Sequence, residues 1–447
     1  MAALNVPAFL RPLPDAAKQL EGSARDLLYR ATRTRVITAL TLVYAFFYTT
    51  RSVLDVVKKP LIDANVYDAD QLGTIGTCLL LAYAVGKLVN GFIADRVRVS
   101  RFLALGLGLS AVANIAMGFN TAYLVACALW AANGFFQGVG AATSVKSLTQ
   151  WFSGKERGRA YGTWSAAHSI GEGATLLVTS AIVAELGWRA GFLSPGIACV
   201  AVALAALLVL RDRPQAYGLP EVHDWKGEAH TDTTGSTREA QLEVLKSPAI
   251  WTCAIASALM YVTRYGVKSW GVLYLQEERG YSLPSASATI AMNALAGFFG
   301  SVVYGFVSDL LFKGRRPPAT LLFGVLEVGA LLVLFYGPHN GYVLNAALFV
   351  YGFTLSGILA VLGGLLAVDV SSKKAAGMAM GFIGFISYIG ASIQEKLSGV
   401  LLKAHTVVMP DGSKHIDDWS TPIAVWIGAS IASALVAATL WRVKSRE

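Results

Sequence analysis

The sequence is poor in charge for its length. Of its 447 residues only 15% are charged and 55% are hydrophobic, whereas a soluble domain has about 25% charged residues. A soluble globular chain is therefore excluded. The apolar residues occur in blocks of roughly 20, the length of a helix that crosses a bilayer. Because a transmembrane barrel would show short alternating segments instead, the sequence predicts an all-α integral membrane protein.

Cysteine is also scarce. The four cysteines, Cys78, Cys127, Cys199 and Cys253, fall inside apolar blocks and lack metal-ligand spacing, so neither a disulfide framework nor a metal site is expected. The sequence contains no nucleophile triad and no P-loop, since the glycine-rich stretch 134–141 lies within an apolar block rather than between a strand and a helix. These absences predict a protein that is not an enzyme and uses no cofactor.

Twelve apolar segments are long enough to span a membrane. Six precede the polar stretch 212–247, and six follow it. The chain is therefore expected to consist of an N-terminal segment 1–35, a six-helix half 36–211, a linker 212–247, and a second six-helix half 248–447 that ends in a short tail. The expected spans are 36–57, 71–93, 101–119, 122–151, 158–184, 188–210, 248–275, 286–311, 318–337, 341–368, 375–403 and 420–441.

Lysine and arginine are concentrated in alternate loops. The clusters lie at 96–101, 155–159, 313–316, 373–374 and 442–446. Since cations in short loops favour the cytoplasmic side, both termini and the linker are expected to be cytoplasmic. This rule also explains the net charge of +9, so no nucleic-acid partner is expected. Lys58 and Lys59 are the main cations of the opposite loops.

Two arginines interrupt the apolar segments at matching places in the two halves. Arg51 follows the apolar run 40–48, and Arg264 follows the run 250–262. A guanidinium inside a bilayer is costly and usually faces a functional cavity, and it can donate two parallel hydrogen bonds to a phosphate. We expect the two arginines to hold one dianion between the halves. The alternative is that each pairs with a nearby acid for structural reasons.

A second repeat joins two acids at the ends of apolar segments. Asp95, followed by Arg96, lies in GFIADRVR, and Asp309 lies in GFVSDLLF. Their positions favour a charge latch that breaks and reforms as the two halves move. The alternative is cytoplasmic anchoring by the neighbouring cations alone.

A third repeat consists of glycines. Gly158 and Gly162 match Gly377 and Gly381 in the second half. Small residues four apart allow helices to approach closely, so close helix packing is expected at these positions.

Five stretches match a known family: YAFFYTTR (44–51), FFQGVGAATSVKSLTQWFSGKERG (135–158), LRDRPQAYGLPEVHDW (210–225), YVTRYGVKSWGVLYLQE (261–277) and KKAAGMAMGFIGFISYIGAS (373–392). The chain resembles the organophosphate:phosphate antiporters of the major facilitator superfamily, and LRDRPQAYGLP looks most like the bacterial hexose-phosphate sensor and transporter branch. The resemblance implies twelve transmembrane helices in two pseudo-symmetric six-helix halves.

The resemblance also implies roles for individual residues. Arg51 and Arg264 match the two phosphate-binding arginines, and Lys87 matches a lysine that helps to hold the phosphate. His168 matches a histidine that could bind phosphate as a cation or carry a coupled proton. The alternatives are that Lys87 extends toward an interface and that His168 is a hydrogen-bonded core residue.

Four tyrosines, Tyr44, Tyr48, Tyr261 and Tyr388, match cavity-facing tyrosines of the family. A tyrosine offers an apolar face and one hydroxyl, which suits a sugar or a phosphate oxygen, although tyrosines also anchor helices at membrane interfaces. Trp164, one turn before the histidine, is expected to form part of the pocket wall.

Several charges depart from the family pattern. Ser52 stands where the family commonly has lysine, and Ala294 stands where it has an acid. These two charges pair in relatives, so one ion pair between the halves is expected to be absent.

Other charges are additional. Asp55 could pair with Arg51 or with a substrate hydroxyl. Glu172 and Lys268, each one turn beyond a predicted site residue, could take part in coupling or specificity, or could form a structural network with Asp55. The last two additional charges are Glu395 and Lys396, near a charge pair that affects substrate choice in the hexose-phosphate transporters.

The resemblance implies a secondary transporter that exchanges a phosphate monoester, for example glucose 6-phosphate, for inorganic phosphate in the bacterial inner membrane. It would act as a monomer among lipids. One alternative is a receptor for external hexose phosphate that signals to a membrane histidine kinase. The others are a glycerol-3-phosphate antiporter and a proton-coupled facilitator, the latter favoured by Asp55 and Glu172.

Overall fold

Long helices make up almost the whole chain in the computed structural model, which describes residues 6–228, 237–313, 315–366, 375–410 and 412–442. The helices of the first half are α1 (Gly22–Asp63), α2 (Ala69–Ala94), α3 (Val99–Phe119), α4 (Tyr123–Trp151), α5 (Gly154–Ala174) and α6 (Ser180–Val209). Two short helices follow, α7 (Val222–Lys226) and α8 (Thr237–Lys246). The basic residues Lys373, Lys374, Lys444 and Arg446 lie outside the described residues.

The second half repeats the pattern of long helices. It contains α9 (Pro248–Arg279), α10 (Leu283–Leu311), α11 (Arg316–Tyr336), α12 (Gly341–Ala360), α13 (Ala376–Ala404) and α14 (Ser420–Ala438). Between α13 and α14 lies a small hairpin of β1 (Thr406–Val408) and β2 (Lys414–Ile416), which are antiparallel, with Val407 opposite His415.

Sequence signals account for several helix ends. Asp68 accepts a hydrogen bond from the backbone N–H of Gln71, and the Gln71 side chain accepts one from the backbone of Asp68, which is a capping box at the start of α2. Pro248 occupies the first turn of α9, where its missing N–H costs nothing. Gly280, with φ 64°, ends that helix.

The boundary between the fifth and sixth expected spans falls within α6. Thr175–Thr179 form a π-helical turn that continues α5 into α6. Gly187 has φ 78°, a conformation that is open to a residue without a Cβ. The continuous helical stretch therefore breaks at Gly187, between the expected spans 158–184 and 188–210.

The described helices confirm the prediction of an all-α membrane protein. Ten helical segments are long and apolar enough to cross a membrane, and one of them is the 56-residue stretch Gly154–Val209 that breaks at Gly187. The 32-residue helix α9 is not among the ten, and it carries Arg264 and Lys268. Counting α9 and the two parts of the broken stretch, the structure is consistent with twelve spans.

Glycines bring the same pair of helices together in each half. A Cβ on Gly134 of α4 would lie 2.1 Å from the carbonyl oxygen of Leu79 on α2. In the second half, a Cβ on Gly300 of α10 would lie 1.9 Å from the carbonyl oxygen of Phe353 on α12. Because only glycine permits backbones this close, these contacts fix the helix packing of each half.

A buried polar cluster positions α1 in the first half. The carbonyl oxygen of Thr50 accepts hydrogen bonds from Asn114 of α3, at 3.1 Å, and from Asn133 of α4, at 3.0 Å. The Thr50 hydroxyl also lies 3.2 Å from that of Ser110. These bonds hold α1 in place at the residue that precedes Arg51.

The two ends of the bundle differ in their contacts. We call the end at Val209 and Pro248 the linker end, and the end at Asp63 and Arg279 the far end. At the linker end, Asp212 pairs with Arg98 at 2.6 Å, and Trp225 stacks on Tyr29 with ring centroids 4.1 Å apart. The first part of the linker is therefore packed against the first half.

Candidate functional site

The two arginines lie on matching helices, Arg51 on α1 and Arg264 on α9. Arg51 is buried, with 6% of its surface exposed. Its Nη2 donates a hydrogen bond of 2.8 Å to the hydroxyl of Tyr265, and its guanidinium lies 4.2 Å from the ring of Tyr83. The Arg264 guanidinium lies 5.4 Å from the ring of Tyr261 and 5.8 Å from that of Tyr265. Tyr265 therefore contacts arginines from both halves.

Neither guanidinium forms an ion pair with a carboxylate of the described residues. Asp55, which was expected to pair with Arg51 or with a substrate hydroxyl, instead accepts a hydrogen bond of 3.0 Å from Ser269 of α9. The pairing with Arg51 is not formed in this structure, because the Arg51 guanidinium donates to Tyr265 and the Asp55 carboxylate accepts from Ser269. Both arginines remain available to an anion.

Aromatic side chains of the first half form one wall beside the arginines. Trp164 of α5 stacks on Tyr44 of α1 with centroids 4.4 Å apart. Tyr44 contacts Tyr48 at 5.5 Å, and Tyr48 contacts the ring of His168 at 5.3 Å. These four predicted site residues therefore form a continuous surface, in which His168 is the one titratable imidazole.

Tyr388 of α13 connects the two halves on the other side. Its ring centroid lies 5.3 Å from that of Tyr261 and 4.7 Å from that of Tyr83 on α2. Lys87, also on α2, places its Nζ 3.4 Å from where a Cβ on Gly384 would lie, and Gly384 is one turn before Tyr388. The structure thus places Lys87 at the interface of the two halves.

Two buried ion pairs join the halves on the far side of the arginines. Lys268 of α9 pairs with Glu172 of α5 at 3.2 Å. Lys58 of α1 pairs with Glu395 of α13 at 2.7 Å, and these side chains are 0% and 2% exposed. The Lys58 ammonium also lies 3.6 Å from the ring of Trp270.

The charges at 395 and 396 do not act as a unit. Glu395 faces Lys58 in the interior, whereas Lys396 pairs with Asp70 and donates to Thr74 at 2.8 Å, with 43% of its side chain exposed. Adjacent residues on a helix point about 100° apart, so the two side chains face different neighbours. Lys396 therefore lies outside the candidate site.

A small cavity lies between the halves, immediately on the far side of Arg51. Its polar lining comes from both halves and consists of Arg51, Asp55, Tyr265, Lys268, Ser269 and Glu395.

Sequence reasoning missed three residues of this region. Tyr265 directly follows Arg264, and Tyr83 lies one turn before Lys87. Their closeness in sequence to a predicted site residue was the one signal that could have indicated a place in the site. Lys58 was assigned to a loop because the first span was expected to end at 57, but α1 continues to Asp63. Its position inside a helix was not visible from loop charges.

The predicted latch residues do not bridge the halves in this structure. Asp95 is exposed, and Arg96, just beyond the end of α2, donates to the carbonyl of Phe92 on that helix at 2.7 Å. Asp309 pairs with Arg316 of its own half at 3.1 Å. The latch stays a prediction for another conformation.

The linker end is open between the halves. A Cβ added at any of the repeated glycines, Gly158, Gly162, Gly377 and Gly381, would meet nothing within 4 Å, so the expected close packing at these positions is wrong for this conformation. The ion pairs between described residues of the two halves lie toward the far end instead: Lys58–Glu395, Lys59–Glu277, Lys268–Glu172, Lys396–Asp70 and Lys403–Asp68. The structure is therefore closed at the far end.

Two helical halves with a cavity between them, closed at one end and open at the other, are typical of membrane carriers that work by alternating access. The Major Facilitator Superfamily model matches residues 40–394. The chain belongs to the major facilitator superfamily, which makes it an integral membrane transport protein rather than an enzyme.

Similar proteins include a membrane sensor and a protein named for hexose phosphate transport. The membrane sensor protein UhpC of Salmonella typhimurium is 35% identical over 397 residues, covering 86% of this chain and 89% of that protein. A probable hexose phosphate transport protein of Chlamydia muridarum is 33% identical and covers 81% of this chain and 84% of its own length. These relatives confirm the resemblance to the organophosphate family.

A solved structure supports the fold. The bacterial homologue of the human lysosomal transporter Spinster, in an inward-facing and unoccupied conformation, has a TM-score of 0.73. It covers 92% of this chain and 96% of its own, at 17% sequence identity, so the likeness concerns the fold alone.

Proposed function

We propose that the protein exchanges a phosphate monoester, namely a hexose phosphate such as glucose 6-phosphate, for inorganic phosphate by alternating access. The observation that carries this proposal is the meeting of Arg51 and Arg264 at Tyr265, with no carboxylate of the described residues paired to either guanidinium. A phosphate dianion supplies the missing counter-charge and accepts two parallel hydrogen bonds from each planar guanidinium.

The positive charge of the two arginines in the empty site supports a mechanism of obligatory exchange. Two unneutralised guanidinium groups are costly to enclose in a closed, water-poor cavity, so the empty carrier changes conformation slowly. A bound phosphate neutralises the arginines and draws α1 and α9 together, since the two groups come from opposite halves. Closure at the linker end would then accompany rupture of the far-end ion pairs.

The organic part of the substrate would meet the aromatic wall. Tyr44, Trp164 and Tyr48 offer flat faces beside His168, and such faces suit the C–H surface of a sugar while hydroxyls bond to polar groups. Asp55 and Lys268 lie in the adjoining cavity, within the region that a sugar bound through its phosphate could reach. The name of the Chlamydia relative supports a hexose phosphate.

The basic loops support one orientation in the membrane. We place the linker end and both termini in the cytoplasm of a bacterium, in its inner membrane. The structure described above would then be the inward-facing state. The protein works as a monomer in lipid, with the sugar phosphate and inorganic phosphate as its ligands and no nucleic-acid partner.

Transport assays in reconstituted vesicles test this function. The purified protein is placed in liposomes loaded with inorganic phosphate, and uptake of labelled glucose 6-phosphate is compared with that of labelled glycerol 3-phosphate. We expect saturable glucose 6-phosphate uptake that needs internal phosphate. Preference for glycerol 3-phosphate would move the assignment to that substrate, and uptake of neither, with no binding, would contradict it.

A receptor for hexose phosphate is the second candidate. Its support is the 35% identity to a protein named as a membrane sensor, together with the packing of the linker segment against α1 through Trp225 and Tyr29. Saturable binding of glucose 6-phosphate without uptake would favour the receptor. Changed activity of a membrane histidine kinase reconstituted beside it would then identify the output.

A further inference from the structure

A buried carboxyl group in the second half takes no part in the site described so far. Glu327 lies in the middle of α11, and 1% of its surface is exposed. Its Oε1 has no hydrogen-bond partner among the described residues. Among the described residues, no lysine, arginine or histidine forms an ion pair with Glu327. Glu172 and Glu395, by contrast, each pair with a lysine.

Glu327 lines a small cavity of its own, away from the cavity beside Arg51. Four helices enclose it, with Met260 from α9, Thr320 from α11, Ile358 from α12 and Ser430 from α14. Ser430 lies within interaction range of the carboxyl. The surroundings thus combine apolar walls with a few hydroxyls and no cation.

The ionisable groups around Glu327 leave it without a counter-charge. Helix α14 carries no ionisable side chain over Ser420–Ala438. From α10, Tyr304 bonds to Thr320 at 2.8 Å. From α12, Tyr351 is fully buried and interacts electrostatically with both Glu327 and Arg264. An unpaired carboxylate in such a place costs far more than the neutral acid, which can donate its proton to a hydroxyl.

The same contacts connect Glu327 to the predicted anion site. Tyr351 donates a hydrogen bond of 3.4 Å to the carbonyl oxygen of Thr263, the residue before Arg264. Met260, which lines the Glu327 cavity, lies one turn before Arg264 on α9. A charge on Glu327 therefore acts on the segment of α9 that presents Arg264.

We propose that Glu327 is a proton-binding site in the wall behind Arg264, occupied in the conformation seen here, and that loss of its proton slows exchange. This inference rests on the proposed phosphate exchange. Deprotonation breaks the carboxyl O–H bond and passes the proton to water. The carboxylate left behind needs water or a cation in a cavity that α9, α11, α12 and α14 now close. A sodium ion suits the cavity less well, since a cation needs several oxygen ligands and the lining offers few side-chain oxygens.

Infrared spectroscopy tests the protonation directly. The full-length protein in lipid and its Glu327→Gln variant are compared at neutral pH for the carbonyl stretching band of a neutral carboxyl group, with Glu185→Gln, an exposed acid, as the control. We expect the band in the wild type and the control, and its loss in Glu327→Gln. An identical band in all three proteins would overturn the proposal.

The pH profile of phosphate exchange tests the effect on transport. Glutamine imitates the neutral acid, so Glu327→Gln should exchange labelled inorganic phosphate without the alkaline decline of the wild type. At pH values below the pKa of Glu327 the ratio of variant to wild-type rate should stay constant. Above that pKa the ratio should rise, by up to about tenfold per pH unit, because the neutral fraction of an acid there falls by that factor. Titration of the substrate and of His168 affects both proteins alike and cancels in the ratio.

The outcomes separate this proposal from the proposed function. Parallel pH profiles in the wild type and Glu327→Gln would overturn the proton-binding proposal. The proposal would also be overturned if the wild type showed no neutral carboxyl band and needed sodium for exchange, and if Glu327→Gln no longer needed it. If the wild type exchanges no phosphate, the proposed function fails, and the infrared comparison still decides whether Glu327 holds a proton.

Discussion

Arg51 and Arg264 could be found from the sequence because an arginine inside an apolar segment is costly and therefore conspicuous. Glu172 and Lys268 were also conspicuous as charges inside apolar segments. They pair with each other at 3.2 Å, as in the structural network that was one of the two alternatives for them. The same reasoning failed for Lys58, since a lysine near the end of a span is indistinguishable from a loop lysine until the helix end is known. Tyr265 gave no signal of its own, because a tyrosine is common in membrane helices.

The buried pair of Lys58 and Glu395 should matter more to stability than the exposed pair of Lys396 and Asp70. Lys58→Met leaves the Glu395 carboxylate buried without a cation and should cost about 3–5 kcal/mol. Lys396→Met removes a partly exposed charge and should cost about 1 kcal/mol or less. Thermal unfolding of the purified variants in detergent measures the difference.

The double variant Lys58→Met with Glu395→Gln serves as the control for this prediction. It removes both charges and should recover much of the loss, since no unpaired ion remains. Equal unfolding midpoints for Lys58→Met and Lys396→Met would show that the buried pair is not a stabilising connection.

Some glycines within helices lie at close helix contacts and others lie in open space, and the sequence could not distinguish the two kinds. Gly134 lies within an apolar segment, and Gly158 lies among charged residues at the start of an expected span. A Cβ on Gly134 would meet the Leu79 carbonyl, whereas a Cβ on Gly158 would meet nothing within 4 Å. The repeated glycine spacing predicted close packing that is not formed in this conformation. The distinction depends on which helix lies opposite, which is a property of tertiary packing.

Alanine at the two glycines should therefore act in opposite directions. Gly134→Ala forces α2 and α4 apart and should destabilise the protein by at least about 1–3 kcal/mol. Gly158→Ala should be neutral or stabilise by about 0.5–1 kcal/mol, because alanine favours helix more than glycine does. Unfolding midpoints measured side by side check both, and a loss for Gly158→Ala as large as that for Gly134→Ala would contradict the packing described here.

The molecule as a whole combines a fold that was predictable with a conformation that was not. Composition and the spacing of apolar blocks gave the helical membrane class, because the bilayer fixes helix length. They could not show which end is closed, since one sequence supports both states of a carrier and the states differ by only a few kcal/mol. The far-end ion pairs, among them Lys59–Glu277 at 2.8 Å, became visible only in the structure.

The grip of two arginines from opposite halves on one phosphate is tested most directly by exchange of labelled inorganic phosphate in reconstituted vesicles. Wild type is compared with Arg51→Lys, Arg264→Lys and the control Arg189→Lys, which changes an exposed arginine. Lysine keeps the charge but loses the planar pair of donors. Each site variant should therefore bind phosphate about 10- to 100-fold more weakly, as expected for the loss of a charged hydrogen bond worth about 1.5–3 kcal/mol. The control should match the wild type. If either Arg51→Lys or Arg264→Lys exchanged phosphate at the wild-type rate and bound it with the wild-type affinity, the proposed binding of one phosphate by both arginines would be contradicted.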